Sequence, residues 1–384
     1  MKKLILLVLI ILTYSGSIYS QNVKMTDYDV PISFAKNLRF NANYNWSQIG
    51  DSVTSNQFNS NAIYSQFYSS LPFAYNLDLN TSVSKTYNDD VRYTGVINAD
   101  IRKYFTKKED FFGFAGTQMT YEDRFDRPQI NVNGGVGYGR FIDATSLAKT
   151  LRIENELMKD KTLSKYLSKK TMLKIAQLIE RESEFRDKYK DIYEAKLIEA
   201  IQAEIEASGD VKTGKLDALG FYRIRQVLYG INQIINPRFF GYDIRTGVSY
   251  TALTEYTSIK SPSPELAILG RFSYPINYQA QFNLYANAYT PVDSSAFKLV
   301  TGSLGTNFSY DLSNRINFTA SYIMNIIRAS QTSGNVTVGN NILNAAFLFY
   351  LENRIGLTIN GTYEKPNGLP QRLSTSLSLS YFLL

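Results

Sequence analysis

The chain has 384 residues, a formal net charge of +7, 14% aromatic residues, no cysteine and no histidine. That length holds two or more soluble domains, or one barrel with a modest extra domain. Without histidine there is no Ser-His-Asp triad and no His-ligated zinc or copper; without cysteine there is no disulfide and no lipoprotein anchor. Only carboxylates remain for acid-base work or for a hard metal, so no catalytic residue, cofactor or metal site is expected. The positive charge is too diffuse to imply nucleic acid.

Residues 1–20 have the form of a secretory signal peptide: Lys2 and Lys3, an apolar run from Leu4 to Leu12, then small polar residues. Cleavage is expected before Gln21, with the position after Ser17 as second choice. The run is too short to span a bilayer, and no stretch of about 18 apolar residues follows. Mean hydropathy is −0.22, which does not suggest a helical membrane protein.

From Asn37 the period is two, that of a strand whose faces meet different surroundings. Leu38, Phe40, Ala42, Tyr44 and Trp46 oppose Arg39, Asn41, Asn43 and Asn45. Phe73, Tyr75, Leu77 and Leu79 oppose Asn76, Asp78 and Asn80, and Val91, Tyr93, Ile97 and Ile101 oppose Arg92, Asn98, Asp100 and Arg102. Weaker strands lie near residues 61–70 and 111–122, and a sixth runs from Ile130 to Phe141. A soluble sandwich would also alternate. Runs of about 10–14 residues, a second face of Asn, Ser, Thr and charge, and aromatics near run ends favour a membrane barrel. Tyr44, Trp46, Tyr310, Tyr322 and Tyr381 are the candidate interfacial aromatics.

The pattern then changes. Between Ile142 and Asn236 there are 17 Lys or Arg and 15 Asp or Glu in 95 residues, about twice the charge density of the rest. Four amphipathic helices are expected, near 146–159, 172–182, 185–205 and 216–235. The third is the clearest, with Phe185, Tyr189, Ile192, Tyr193, Leu197, Ile201 and Ile205 spaced three or four apart. Gly209 reads as its C-cap, and Pro237 stops the fourth. Four such helices bury one shared core, so a small bundle is predicted. It could cap the barrel mouth or dock another envelope protein; a plug inside the lumen is less favoured.

From Phe240 the two-residue period resumes and gives about eight more strands, closing with Leu373, Leu377, Leu379, Tyr381 and Leu383 between serines. The total is even, about 14. Short turns are expected near 71–72, 274–278, 311–315 and 351–354, with longer loops near 48–60, 255–264, 328–339 and 364–371. Short periplasmic turns and long outer loops are the rule for such barrels. With the N-terminus in the periplasm the sixth strand descends, which places the insert there too.

On these strands the chain resembles a bacterial outer-membrane β-barrel protein over everything except the insert. Such proteins end in a strand with an aromatic last residue; here Leu384 is last, Phe382 lies two before it, and the apolar alternation runs through Leu383 and Tyr381. The strand count matches fatty-acid-transporter-like and porin-like barrels, and no subfamily motif identifies a cargo. The resemblance implies a transmembrane antiparallel barrel in the outer membrane of a diderm bacterium, with an all-α periplasmic insertion. The expected division is 1–20 signal peptide, 21–36 periplasmic segment, 37–141 strands 1–6, 142–236 insert and 237–384 strands 7–14. Expected partners are outer-membrane lipid and an envelope protein bound through residues 142–236.

Gly134-Gly135-Val136-Gly137-Tyr138-Gly139 lies within a strand, without the following helix that a dinucleotide fingerprint needs. It reads as a thin lumen wall that lets another segment approach. Glu122, Asp123 and Asp126 lack regular spacing for calcium. Expected lumen positions are Arg39, Arg92, Arg102, Arg245 and Arg271 against Asp78, Asp100 and Asp243. An excess of arginine would favour anionic solutes in an open pore, and Arg–Asp rungs that brace the wall fit equally. The leading expectation is a channel or transporter for small solutes. An accessory barrel with a docking insert is the alternative, and a barrel hydrolase comes third because known ones lean on histidine.

Overall fold

A computed structural model of the chain describes residues 23–381 except 71, 88, 107–109, 231–235, 314, 332–333 and 353–354. The signal peptide, Ile231 and Ile235, and the terminal residues from Phe382 onward lie outside the described residues. Before the insert come β1 (Ser33–Ile49), β2 (Ser52–Ser69), β3 (Phe73–Lys85), β4 (Arg92–Tyr104), β5 (Phe111–Glu122) and β6 (Gln129–Asp143). After it come β7 (Phe239–Leu253), β8 (Glu265–Pro275), β9 (Ala280–Pro291), β10 (Leu299–Ser313), β11 (Ile316–Gln331), β12 (Gly334–Glu352), β13 (Ile355–Pro366) and β14 (Arg372–Tyr381).

All 14 strands form one sheet in chain order, and every neighbouring pair is antiparallel. The insert does not interrupt this order: β6 and β7 pair from Asp143↔Phe239 to Ile130↔Leu253. Strands β1 and β14 are the two ends, and among the described residues no pairing joins them. A bilayer does not tolerate an open row of backbone N–H and C=O groups, so in lipid these two edges have to meet.

Two of the expected long loops are strand instead. Residues 48–60 form a hairpin turning at Gly50, whose φ of +59° is the left-handed conformation a tight turn takes readily from glycine. Likewise β11 and β12 pair out to Gln331↔Gly334. Both stretches are rich in Ser, Asn, Gln and Thr, and a strand that projects beyond an apolar layer carries the polar composition of a loop. Strand β1 also starts four residues before Asn37, at Ser33.

The insert folds as α1 (Thr145–Lys159), α2 (Lys169–Glu180), α3 (Glu182–Tyr189), α4 (Tyr193–Ala207) and α5 (Ala218–Tyr229). The expected third helix is thus two. Lys190 takes φ of +49° and breaks the chain between α3 and α4. The break turns α3 toward the sheet, where Glu184 accepts from the Phe34 backbone N–H of β1 at 3.1 Å. Ser168 caps α2 by accepting from Thr171 N–H, and Asp217 caps α5 by accepting from Gly220 N–H.

Helix α1 is the centre of the bundle. Leu147, Leu151 and Leu157 are buried on one side, but so are Thr150, Arg152, Glu154 and Glu156. A helix buried all round has neighbours on every face. Here they are α2, α5 and the rim of the sheet. The N-terminal segment joins the same core through Val23, Met25 and Tyr28. Tyr28 donates to Glu180 at 3.3 Å, and Asp27 pairs with Lys169 at 2.9 Å. The bundle therefore touches β1, the β6–β7 junction, the β8–β9 turn through Tyr278 and the end of β10, all on one rim.

Two outcomes follow. Glu154 accepts from the Leu167 N–H at 2.7 Å, yet burial pushes its carboxyl up to about 7 from an ordinary 4.5. Folding then favours the protonated form, so stability is highest at low pH and falls as pH rises from about 4.5 to about 7, by roughly 3 kcal/mol. Urea unfolding followed by helical circular dichroism should show this slope in the wild type and lose it in Glu154→Gln. For the sheet, the cysteine-free chain allows Asn41→Cys to be scanned against Ser374→Cys, Ser376→Cys and Ser378→Cys. Oxidation in membranes should give a cross-link within one chain; a cross-linked dimer would show that the edges pair between copies.

Candidate functional site

Register decides which side chains share the enclosed face. Asp100 and Arg102 on β4, Phe112 and Phe114 on β5, Asn133 on β6, Asp243 and Arg245 on β7, and Leu269 on β8 line one cavity of about 630 Å3, with Phe67 and Tyr289 at its sides. The opposite face carries Ile101, Val136, Tyr138, Ile244 and Ile268, all exposed. The polar face is thus the inner one.

Asp243, 1% exposed, is the focus of charge. Arg271 donates to its Oδ2 through Nη2 at 2.6 Å and Nε at 2.8 Å. Arg245 Nε stands 3.3 Å from Oδ1, yet neither atom completes a hydrogen bond and both are buried. Arg102 has no carboxylate partner among the described residues; it lies 5.6 Å from the Tyr104 ring centre and 5.8 Å from that of Phe112. Three arginines therefore surround one buried carboxylate, with Asp100 beside them. Such a site holds positive potential in a low-dielectric wall.

The glycine run makes room for this arrangement. Phe112 is fully buried because its ring rests where a Cβ on Gly137 would be, only 2.4 Å away. A Cβ on Gly135 would lie 2.1 Å from the Thr246 carbonyl, so β6 and β7 approach closely there. The structure thus supplies the approaching segment that the thin wall implied: the Phe112 ring and the β7 backbone.

The other expected positions are separate. Asp78 accepts from Ser65 at 2.6 Å and also from Asn76. Arg92 sits on the far rim, mostly exposed, 3.6 Å from Asp123. Arg39 faces Ile63 of β2, away from the cluster. Tyr44, Trp46 and Tyr381 are exposed, while Tyr310 and Tyr322 are half-buried and Tyr322 donates to Asn341 at 2.7 Å. The loop carboxylates have different partners: Glu122 takes Arg124, Asp123 takes Arg92, and Asp126 accepts from Thr257.

A second cluster was not anticipated. Asp311, at the end of β10, is fully buried and binds Arg152 of α1 at 2.9 Å and Arg238, just before β7, at 2.7 Å. Asn236 and Asn317 donate to its other oxygen at 2.6 and 2.8 Å. Arg238 also donates to the carbonyls of Asn236, Tyr278 and Gln279. Burial pushes its guanidinium below the ordinary value while Asp311 opposes that shift. One carboxylate thus joins α1, the return into β7 and the wall at β10. Only a charged residue at a strand end marked it in the sequence.

Fourteen antiparallel strands in chain order, polar within and apolar without, define the class: an outer-membrane β-barrel with a helical insertion. No family model matches the chain, and no curated protein matches it. Among solved structures it is similar to OccK5 (OpdH) of Pseudomonas aeruginosa, with 10% identity, coverage of 91% of this chain and 96% of that one, and a TM-score of 0.30. The monoaromatic hydrocarbon channel CymD gives 9% identity, coverage of 94% and 81%, and a TM-score of 0.25. The Pseudomonas putida toluene transporter TodX gives 10%, 90% and 79%, and 0.18. At such scores the fold of this chain rests on its own strand pairing.

Removing the Asp311 carboxylate takes away the buried counter-charge that Arg152 and Arg238 share. Asp311→Ala should cost about 3–5 kcal/mol. The measurement is the melting of the helical signal in detergent, with Arg124→Ala as an exposed control that should change little.

Proposed function

We propose that the chain is a channel or transporter for small solutes in the outer membrane, with the insert on the periplasmic side. The observation that carries this reading is the inner cavity, where Arg102 has no carboxylate partner among the described residues and the buried Nε of Arg245, though 3.3 Å from Asp243, completes no hydrogen bond. A wall built only for bracing would satisfy its buried donors internally. Beside those donors stand Phe112, Phe114 and Leu269, so the cavity offers cationic and apolar contacts together. Its electrostatics favour anions.

The even strand number puts the N-terminal segment and the insert on one rim. That rim also carries the short connection 276–279, whereas the longest barrel loop among the described residues, 254–264, lies on the other. This arrangement supports a periplasmic insert. The Asp311 cluster fixes α1 to that rim.

A second reading gives the insert a protein partner. Ile192, Leu219 and Tyr222 are 57%, 44% and 52% exposed on the bundle, and apolar side chains of that size suit a docking contact.

Planar-bilayer recording tests the first reading. Wild type should conduct with anion preference, and Arg102→Ala with Arg245→Ala should move the reversal potential toward cations. Cation selectivity in the wild type removes the anion preference, and a barrel that never conducts, with or without residues 147–235, removes the channel. Unchanged conductance after that deletion, with loss of a co-purifying envelope protein, favours the partner.

A further inference from the structure

Where the bundle meets the wall there is a second cavity, of about 290 Å3, between α1, α5 and the β8–β9 and β10–β11 turns. It is separate from the inner cavity and is independent of whether the barrel conducts. Its walls are polar and unevenly charged. Lys159 of α1, Arg223 of α5 and Arg315 of the β10–β11 turn reach it from three elements, with Asn155, Gln226 and Ser313 between them.

The charges do not balance. Lys159 pairs with Glu156 at 2.8 Å, and Arg223 with Asp160 at 2.6 Å. Behind them, Arg152 and Arg238 share Asp311. Arg315 has no carboxylate partner among the described residues. Five cations thus face three carboxylates, an excess of two. Arg223 is held in a fork by Asp160 and donates to Gln226 as well, whereas Lys159 is 60% exposed and its ammonium has donors beyond the one that Glu156 takes.

We propose that this cleft binds a phosphate group. A phosphate carries about −1.5 to −2 charge, which matches the excess, and its acceptor oxygens would be met by Lys159 and Arg315, the cations with uncommitted donors. The arginine fork suits its planar pairs of oxygens, and neutral amides and a hydroxyl complete the shell. A bound phosphate would bridge the insert and the wall beside the Asp311 cluster, so its effect is to hold the bundle against the wall. The chemistry is common to a free phosphate or phosphate ester and to a phospholipid headgroup at the membrane surface.

The test uses the full chain purified in a neutral detergent. Inorganic phosphate is titrated calorimetrically against chloride at equal ionic strength. Phosphatidylglycerol and phosphatidylcholine are compared by native mass spectrometry of doped micelles. Saturable binding of inorganic phosphate or retention of phosphatidylglycerol is expected, weakened at least tenfold in Lys159→Ala with Arg315→Ala and unchanged in Arg124→Ala. Phosphate alone binding identifies a soluble ligand, and phosphatidylglycerol alone identifies a headgroup; either supports the site. Both cleft substitutions are at exposed side chains, and helical circular dichroism checks that the variant folds. No saturable binding of either probe, or binding equal in the cleft variant and wild type, overturns the proposal.

Discussion

Backbone pairing is the constraint on which the rest depends. A polar backbone can enter hydrocarbon only if each N–H and C=O has a partner. In this chain the partners come from the adjacent strand, from β1–β2 through β13–β14. An insertion of helices is compatible with that rule only if the flanking strands still meet, and β6 and β7 do. The insert is consequently an excursion from one strand pair, and its position in space is set by the rim from which it leaves.

A second constraint is charge. Asp243 and Asp311 are both almost wholly buried carboxylates flanked by arginines, but their surroundings differ. At Asp311 every accessible acceptor is used, by Arg152, Arg238, Asn236 and Asn317. Around Asp243 the Arg245 Nε and the carboxylate Oδ1 stay without hydrogen bonds, and Arg102 makes no ion pair with a carboxylate among the described residues. Closed networks fix geometry, whereas open ones leave capacity for something else. The first is thus a closed brace between insert and wall, and the second leaves a buried donor and acceptor unsatisfied.

Much of this architecture was legible because alternation is a local signal. The faces of β1, β4, β7 and β11 follow from reading every second residue, and the doubled charge density located the bundle. Hairpin extent was not legible: polar residues 52–60 look alike whether they form a loop or a strand outside the apolar layer. Neither was the break at Lys190, since Phe185, Tyr189 and Tyr193 keep helical spacing across it. The Asp311 cluster depends on residues 152, 236, 238 and 311 meeting, and no pattern in the sequence marks such separations. Of the eight positions expected to face inward, those near the β6–β7 junction came together, because the glycines there allow close packing.

The contribution of the N-terminal segment to the bundle has a consequence for assembly. Val23, Met25 and Tyr28 belong to the same core as Leu147 and Ile224, so that core closes a loop containing six complete strands. Closing a long loop costs chain entropy before any contact repays it, and contacts of high sequence separation form slowly. The helices alone lack part of their own interior. Completion of the bundle is thus tied to the arrival of strands β1–β6 in register, and the finished core reports that the first half of the wall is in place.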